Sequence, residues 1–164
     1  MHIYYGGLTL SRIIEILKYE EGYRARPYID TEGFPTVAYG IKLGPRGCPI
    51  EHYTFTVPEP VGGAWLETLL SDYKLQMSQR PGIAAALQHC NEPRRDILYS
   101  MAWQMGVDGL AGFKNTLALI AQENFASAAS SMLMSKWARQ TPKRAKRHAE
   151  VMRSGDYETY RRLL

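Results

Sequence analysis

EGYRARPYIDTEGFPTVAYG, residues 21–40, decides how this chain is read. It spaces Glu21, Asp30 and Thr36 as E-x8-D-x5-T. Upstream, Ile13, Ile14 and Leu17 fall at helical spacing over 11–20, with Thr9 or Ser11 as the expected N-cap. Gly22 suits the residue just beyond a helix end, which puts Glu21 in the last turn or just past it, at the lip of whatever the helix packs against. Downstream, Asp30 precedes a turn at Thr31-Glu32-Gly33, and Thr36 opens a strand-like stretch. Two carboxyls and a hydroxyl on adjoining elements are what a glycosidase needs. One carboxyl, protonated, assists the leaving oxygen, and the other, ionised, is a nucleophile or aims a water. Glu21 at a helix end suits the acid role, and Asp30 with Thr36 the second. A hydroxyl is superfluous to a covalent nucleophile but useful to a positioned water, which favours inversion, with carboxyls roughly 6.5–9.5 Å apart. Taken singly, each residue has a blander reading: an exposed helix-end charge, a turn Asp and a strand Thr. Only the set of three, in this order, carries the chemistry.

Outward from this stretch, residues 23–60 hold too many Pro and Gly for a long helix. Short strands are expected at 27–30, 36–41 and 53–57, forming a small antiparallel sheet. From Ala64 the pattern turns helical. Trp65, Leu66, Leu69, Leu70, Tyr73 and Met77 mark one face of a helix that Pro81-Gly82 ends. Further helices are expected at 83–89, 93–105, 115–121, 125–134, 142–153 and 157–163, with Asp108-Gly109 and Ala111-Gly112 punctuating a loop. The expected fold class is α+β, as a single domain of two lobes. A sheet-bearing N-terminal lobe (about 11–63) is joined by a long helix (about 64–80) to an all-helical C-terminal lobe (about 81–164). A cleft between lobes suits a polymeric substrate.

The 164 residues, 45% hydrophobic and 22% charged, have the composition of an ordinary globular chain. From Lys136 to Arg162, nine basic residues stand against three acidic ones, a net +6 within a formal total of +4. That segment attracts an anionic polymer, or is simply a solvated set of helix faces. Cys48 and Cys90 make no disulfide framework. His2, His52, His89 and His148 are scattered without ligand spacing, so no metal and no cofactor are expected. The first ten residues show neither a basic n-region nor a long apolar core, and no run approaches a membrane span; no signal peptide and no stable membrane insertion are expected.

The 21–40 segment resembles the lysozymes of T-even bacteriophages, glycoside hydrolase family 24, in its E-x8-D-x5-T spacing and D-T-E-G turn. WQMGVDGLAGFKNTL, residues 103–117, is similar to that family's C-lobe helix and following loop, and KWARQTPKRAKRHAEVMRSGDYETYRRLL, residues 136–164, to its C-terminal helices. The resemblance implies a lysozyme-like fold and a muramidase that hydrolyses the β-1,4 bond between N-acetylmuramic acid and N-acetylglucosamine in peptidoglycan. It makes Glu21 the proton donor, with Asp30 and Thr36 directing the water. It makes Arg144 an arginine that reaches back across the cleft towards that Glu. Trp103 and Gln104 fall where the family lines its cleft, and Thr116 and Ser131 at smaller polar positions near sugar or peptide stem. Gly40 is left to let a sugar approach the backbone. A cation beside Glu21 favours its charged form, whereas a general acid must start protonated, so Arg144 equally suits a purely anchoring role.

The chain also departs from the family. Ala38 replaces a glycine, and Ile41 replaces a histidine whose carboxylate partner would fall near Asp72; the path of residues 42–62 stays open. The role that the resemblance implies is that of a monomeric endolysin, held in the host cytoplasm until a holin releases it to the periplasmic wall. Peptidoglycan is then the expected partner and nucleic acid is not. A lytic transglycosylase on the same bond, or a non-enzymatic cationic protein that disrupts wall or membrane, are the alternatives.

Overall fold

The computed structural model of the chain describes residues 9–164, so the role of the first eight residues and His2 lie outside the described residues. The fold is α+β as expected. α1 (Ile13–Glu21) leads into a three-stranded antiparallel sheet of β1 (Arg24–Ile29), β2 (Pro35–Ala38) and β3 (Ile41–Lys42), in that order. The register pairs Tyr28 with Thr36 and Thr36 with Lys42. Seven helices follow: α2 (Glu59–Ser78), α3 (Pro81–Gln88), α4 (Glu92–Ala111), α5 (Lys114–Ala121), α6 (Phe125–Leu133), α7 (Lys136–Gln140) and α8 (Pro142–Ser154).

Several boundaries differ from the sequence reading. Residues 53–57 do not form a strand; Val57 N–H donates to Ala25 O at 2.8 Å and Tyr23 hydroxyl to Val57 O at 2.5 Å, two ties rather than a ladder. α2 begins at Glu59 rather than Ala64, because Pro60 occupies a first turn where a missing N–H costs nothing. Asp108-Gly109 lies inside α4, and that helix breaks instead at Gly106, with φ 82°. The 157–163 helix shrinks to a 3-10 turn at Glu158–Tyr160, after Gly155 ends α8 in the left-handed region. α7, five residues long, has no counterpart among the expected helices; Ser135 caps it by accepting from Ala138 N–H at 3.1 Å. The open segment after β3 folds back on the sheet, where Leu43 N–H donates to Pro35 O at 2.8 Å and Gly47 N–H to Gly33 O at 3.0 Å.

Two apolar cores result. The larger gathers Met77, Ile83, Ile97, Leu98, Met101, Ile120 and Met132 among the helices. The smaller joins Val37 and Ile41 of the sheet to Leu66 and Leu70 of α2 and Trp103 of α4. α1 divides itself between them: Ile16 enters the larger core, Ile13 and Leu17 the smaller. Burying each such side chain contributes about 1.5–3 kcal/mol, enough to fix α1 as the wedge between lobes. α1 is therefore no simple member of the N-terminal lobe. Among the described residues no helix is long and apolar enough to cross a membrane. Cys48 and Cys90 are free thiols, and burial pushes Cys90 up to about 12.

The start of α1 is held mainly from a distant helix; of the two expected caps, Ser11 Oγ accepts Ile13 N–H at a long 3.4 Å. Buried Asp96 of α4 accepts the Ser11 hydroxyl at 2.7 Å, Arg12 N–H at 2.8 Å and the Tyr157 hydroxyl. Burial raises its pKa above the usual aspartate value, with those three hydrogen bonds pulling it back. Asp96→Ala would leave three donors to find other partners, so we expect a loss of about 3 kcal/mol in urea denaturation. A loss under about 1 kcal/mol would show that α1 does not depend on this cap.

Candidate active site

Glu21 is the last residue of α1, and Gly22, at φ 64°, turns the chain out of the helix. Its Oε1 accepts a hydrogen bond from Arg144 Nη1 at 2.7 Å, 123 residues away in sequence. Both side chains are largely enclosed, Glu21 at 16% and Arg144 at 8% exposure. Oε2 lies over Gly40, where any β-carbon would overlap it. At φ 72°, Gly40 also adopts a backbone that other residues resist. The missing side chain at Gly40 thus makes room for the Glu21 carboxyl, a different occupant from the sugar expected there.

Asp30 organises the turn that the D-T-E-G sequence announces. Its Oδ1 accepts Glu32 N–H at 2.9 Å and Phe34 N–H at 2.8 Å, while Gly33 takes φ 89°. Among the described residues nothing donates to Oδ2. Thr36, on β2, is buried and donates its hydroxyl proton to Phe34 O at 2.8 Å. With that proton committed, Thr36 Oγ1 can only accept from anything that approaches from the cleft.

Glu21, Asp30, Thr36 and Gly40 line one cavity of about 880 Å³ between the lobes, with Trp103, Gln104 and Arg144 on its helical side. Trp103 is mostly a core residue that also lines the cleft; it donates Nε1–H to Tyr39 O at 3.1 Å. Trp137 is buried in the larger core yet also lines the cleft, where its Nε1–H donates to Gln104 Oε1 at 2.7 Å. That bond fixes the amide, leaving the Gln104 NH2 group to donate elsewhere. Thr116 and Ser131 are not brought to this cavity. They meet each other at 2.9 Å where α5 packs on α6, and Ser131 borders a separate shallow depression.

Lys42, which lies just past Gly40 and adds positive charge at the cleft mouth, lines the rim, whereas Phe34, Arg46, Arg24 and Tyr28 beside it were not singled out by sequence. Lys42 Nζ stands 4.0 Å from the Phe34 ring centre and Arg46 5.1 Å from it, both lining the cleft. Arg24 covers Tyr28 at 4.2 Å, and the Tyr28 hydroxyl is raised above its ordinary value by burial and then by Glu21. The departures resolve simply. Ile41 is buried in the smaller core, Asp72 is exposed without an ion pair among the described residues, and Ala38 holds φ 55°. Of the C-terminal cations, Arg144 and Arg147 turn inward, Arg153 and Arg161 pair along the chain with Glu150 and Glu158, and Lys136, Lys143 and Lys146 stay exposed.

Behind Arg144 lies a polar chain that no motif announced. Arg144 Nη2 donates to Ser100 Oγ at 2.9 Å, and Ser100 Oγ lies 2.7 Å from His148 Nε2. His148 Nδ1 lies 2.9 Å from the Tyr160 hydroxyl, which donates to Glu20 Oε1 at 2.5 Å. Arg147 grips both Glu20 oxygens, at 2.7 and 2.8 Å. Burial, and then Arg144 and Arg147, holds His148 well below the usual histidine range, so the ring is neutral.

Residues 18–152 match the family model described as phage lysozyme. The chain is 27% identical over 175 residues to a probable T4-type lysozyme 1 of Dictyostelium discoideum, covering 93% of this chain and 99% of that protein. A probable T4-type lysozyme 2 of the same organism is 28% identical over 170 residues, with 93% and 99% covered. The pre-baseplate central spike protein of Enterobacteria phage T4 is 28% identical over 162 residues, covering 89% of this chain but 28% of that protein.

The unfolded chain takes up a proton on His148 near its ordinary value of 6.5, and the fold refuses it. Stability contributed by this group is therefore complete above about pH 6.5 and falls on acidification below it, by at most about 1.4 kcal/mol per pH unit. Urea midpoints of the wild type and of His148→Leu, compared between pH 7.5 and 5, should show a steeper fall in the wild type; equal slopes would contradict a neutral buried ring.

Proposed function

The chain belongs to the phage lysozyme family, and we propose that it hydrolyses the β-1,4 bond between N-acetylmuramic acid and N-acetylglucosamine with inversion. It is a muramidase with peptidoglycan as substrate. The observation that carries the mechanism is the single cavity onto which Glu21, Asp30 and Thr36 all open. Glu21 gives its proton to the glycosidic oxygen as the bond to the sugar C1 breaks. Oε2 is the oxygen for that proton, since Oε1 accepts from Arg144 and the acid's carbonyl oxygen can keep accepting. A water that donates one proton to Thr36 Oγ1 and the other to Asp30 Oδ2 has its lone pair turned towards C1. Its proton passes to Asp30 as the C1–O bond forms, leaving Glu21 ionised and Asp30 protonated until solvent resets both. Gln104 supplies N–H donors to the sugar, and the exposed lysines of the C-terminal lobe favour approach to an anionic wall.

We take the biological role to be that of an endolysin. The chain acts as a monomer, waits in the host cytoplasm, and reaches the periplasmic wall through a holin. The family membership and the exposed basic face support this role.

On purified sacculi, Glu21→Gln and Asp30→Asn should each slow solubilisation by at least about 100-fold. Products should carry reducing muramic acid ends, first released as the α-anomer by NMR. Wild-type rate in Glu21→Gln would end the acid assignment, predominant 1,6-anhydro ends would favour a transglycosylase, and initial β-anomer would mean retention. Cells expressing the protein should stay intact until the inner membrane is opened, for example by chloroform. Spontaneous lysis without that step would overturn the holin-dependent role.

A further inference from the structure

We propose that Ser100 and His148 are positioning residues for the acid: they hold Arg144 so that a single guanidinium N–H addresses Glu21 Oε1 while Oε2 is left free to carry the proton. This role rests on Glu21 being the general acid.

Counting protons gives the chain of hydrogen bonds a direction. The Tyr160 hydroxyl has one proton, and it goes to Glu20. The 2.9 Å contact to His148 Nδ1 must then be donated by the ring. A neutral ring has one N–H, so Nε2 is a lone pair and accepts the Ser100 hydroxyl proton. Ser100 Oγ is left to accept from Arg144 Nη2, whose Nη2 also reaches Ser100 O at 3.2 Å. The sequence Arg144 to Ser100 to His148 to Tyr160 to Glu20 thus runs one way, from a cation to a carboxylate, and each link polarises the next.

The pose of Arg144 shows the effect of that pull. A guanidinium beside a carboxylate gains most from two parallel hydrogen bonds. Arg144 makes only one to Glu21, and among the described residues its buried Nε has no partner. A single bond to Glu21 where a fork would gain more implies that something holds the group in place, and the Ser100 contacts are what hold it. Without them, Arg144 is free to rotate into a forked contact with Glu21 that favours the ionised form.

Charged groups face the pair from both lobes. α8 contributes Arg144 and, one turn on, Arg147 and His148; α1 contributes Glu20. From the sheet side the cavity wall adds Arg24, Tyr28, Asp30, Glu32, Lys42 and Arg46, and α8 adds Lys143; none of them bonds to Arg144. The Ser100–His148 link is thus the connection between the two glutamate pairs through the helical lobe.

Ser100→Ala and His148→Phe test this, with Ser100→Thr as the conservative control, on a soluble peptidoglycan fragment from pH 4 to 9. Both cutting variants should lower kcat about 10-fold with KM within about twofold. They should also move the alkaline limb of kcat/KM to lower pH by about one unit, and Ser100→Thr should restore both. Urea midpoints taken alongside separate stability from chemistry, and Ser100→Ala decides alone should His148→Phe fail to fold. An unmoved alkaline limb, with activity lost only in step with stability, overturns the positioning role. Inactive Glu21→Gln with that result leaves the acid assignment standing, whereas a fully active Glu21→Gln removes both.

Discussion

The contact between Glu21 and Arg144 is the constraint on which the rest is arranged. One partner ends the first described helix and the other lies near the start of α8, so a 2.7 Å bond between them fixes how the two lobes meet. Such a pair is poor evidence for stability, because desolvating both charges offsets most of their attraction. Its value is geometric. α1 is placed by Ile16 in one core and Leu17 in the other, and Arg144 by its neighbours in the helical lobe. Two separate packings bring the partners within reach, the bond between them holds the lobes in one register, and the cleft lies on one side of it.

Around that pair, polar atoms divide their tasks between fold and chemistry. Asp30 uses one oxygen to build the turn and keeps the other. Thr36 spends its proton on Phe34 O and keeps its lone pairs. Gln104 gives its oxygen to Trp137 and keeps its amide protons. In each case a local structural bond fixes which atoms remain to face the cleft. The glycine at position 40 follows the same economy, removing a side chain where a carboxyl must stand.

The fold was most legible where local chemistry dominates. The breakers from Pro27 to Pro60 excluded a long helix, and the apolar face from Trp65 to Met77 announced α2, although Pro60, a helix breaker by residue type, belongs to its first turn. Tyr53–Val57 has the alternation of a strand but makes a single backbone bond to edge strand β1, Val57 N–H to Ala25 O, and strand identity depends on a ladder with the neighbour. The break in α4 falls at Gly106 rather than at Asp108-Gly109, since either glycine could take the needed φ and packing chose between them. Ser11 was the expected cap for α1, but its contact with Ile13 N–H is long, and Asp96, 84 residues from Arg12, makes the shorter bond.

For the site, the sequence by itself determined the parts whose geometry closes within a few residues. These are a carboxyl at a helix end released by Gly22, a turn whose Asp must lie beside the strand that bears Thr36, and an overall excess of positive charge late in the chain. Backbone hydrogen bonds over such short spans follow from residue type and spacing alone. Tertiary structure decided everything that depends on which distant groups exclude water together. It brought Arg144 to Glu21 and kept Thr116 and Ser131 out of the cleft. It also enclosed His148, a residue without any motif, deeply enough to refuse a proton and so to give its hydrogen bonds a single direction. Desolvation is a property of the packed surroundings, and no spacing of letters encodes it.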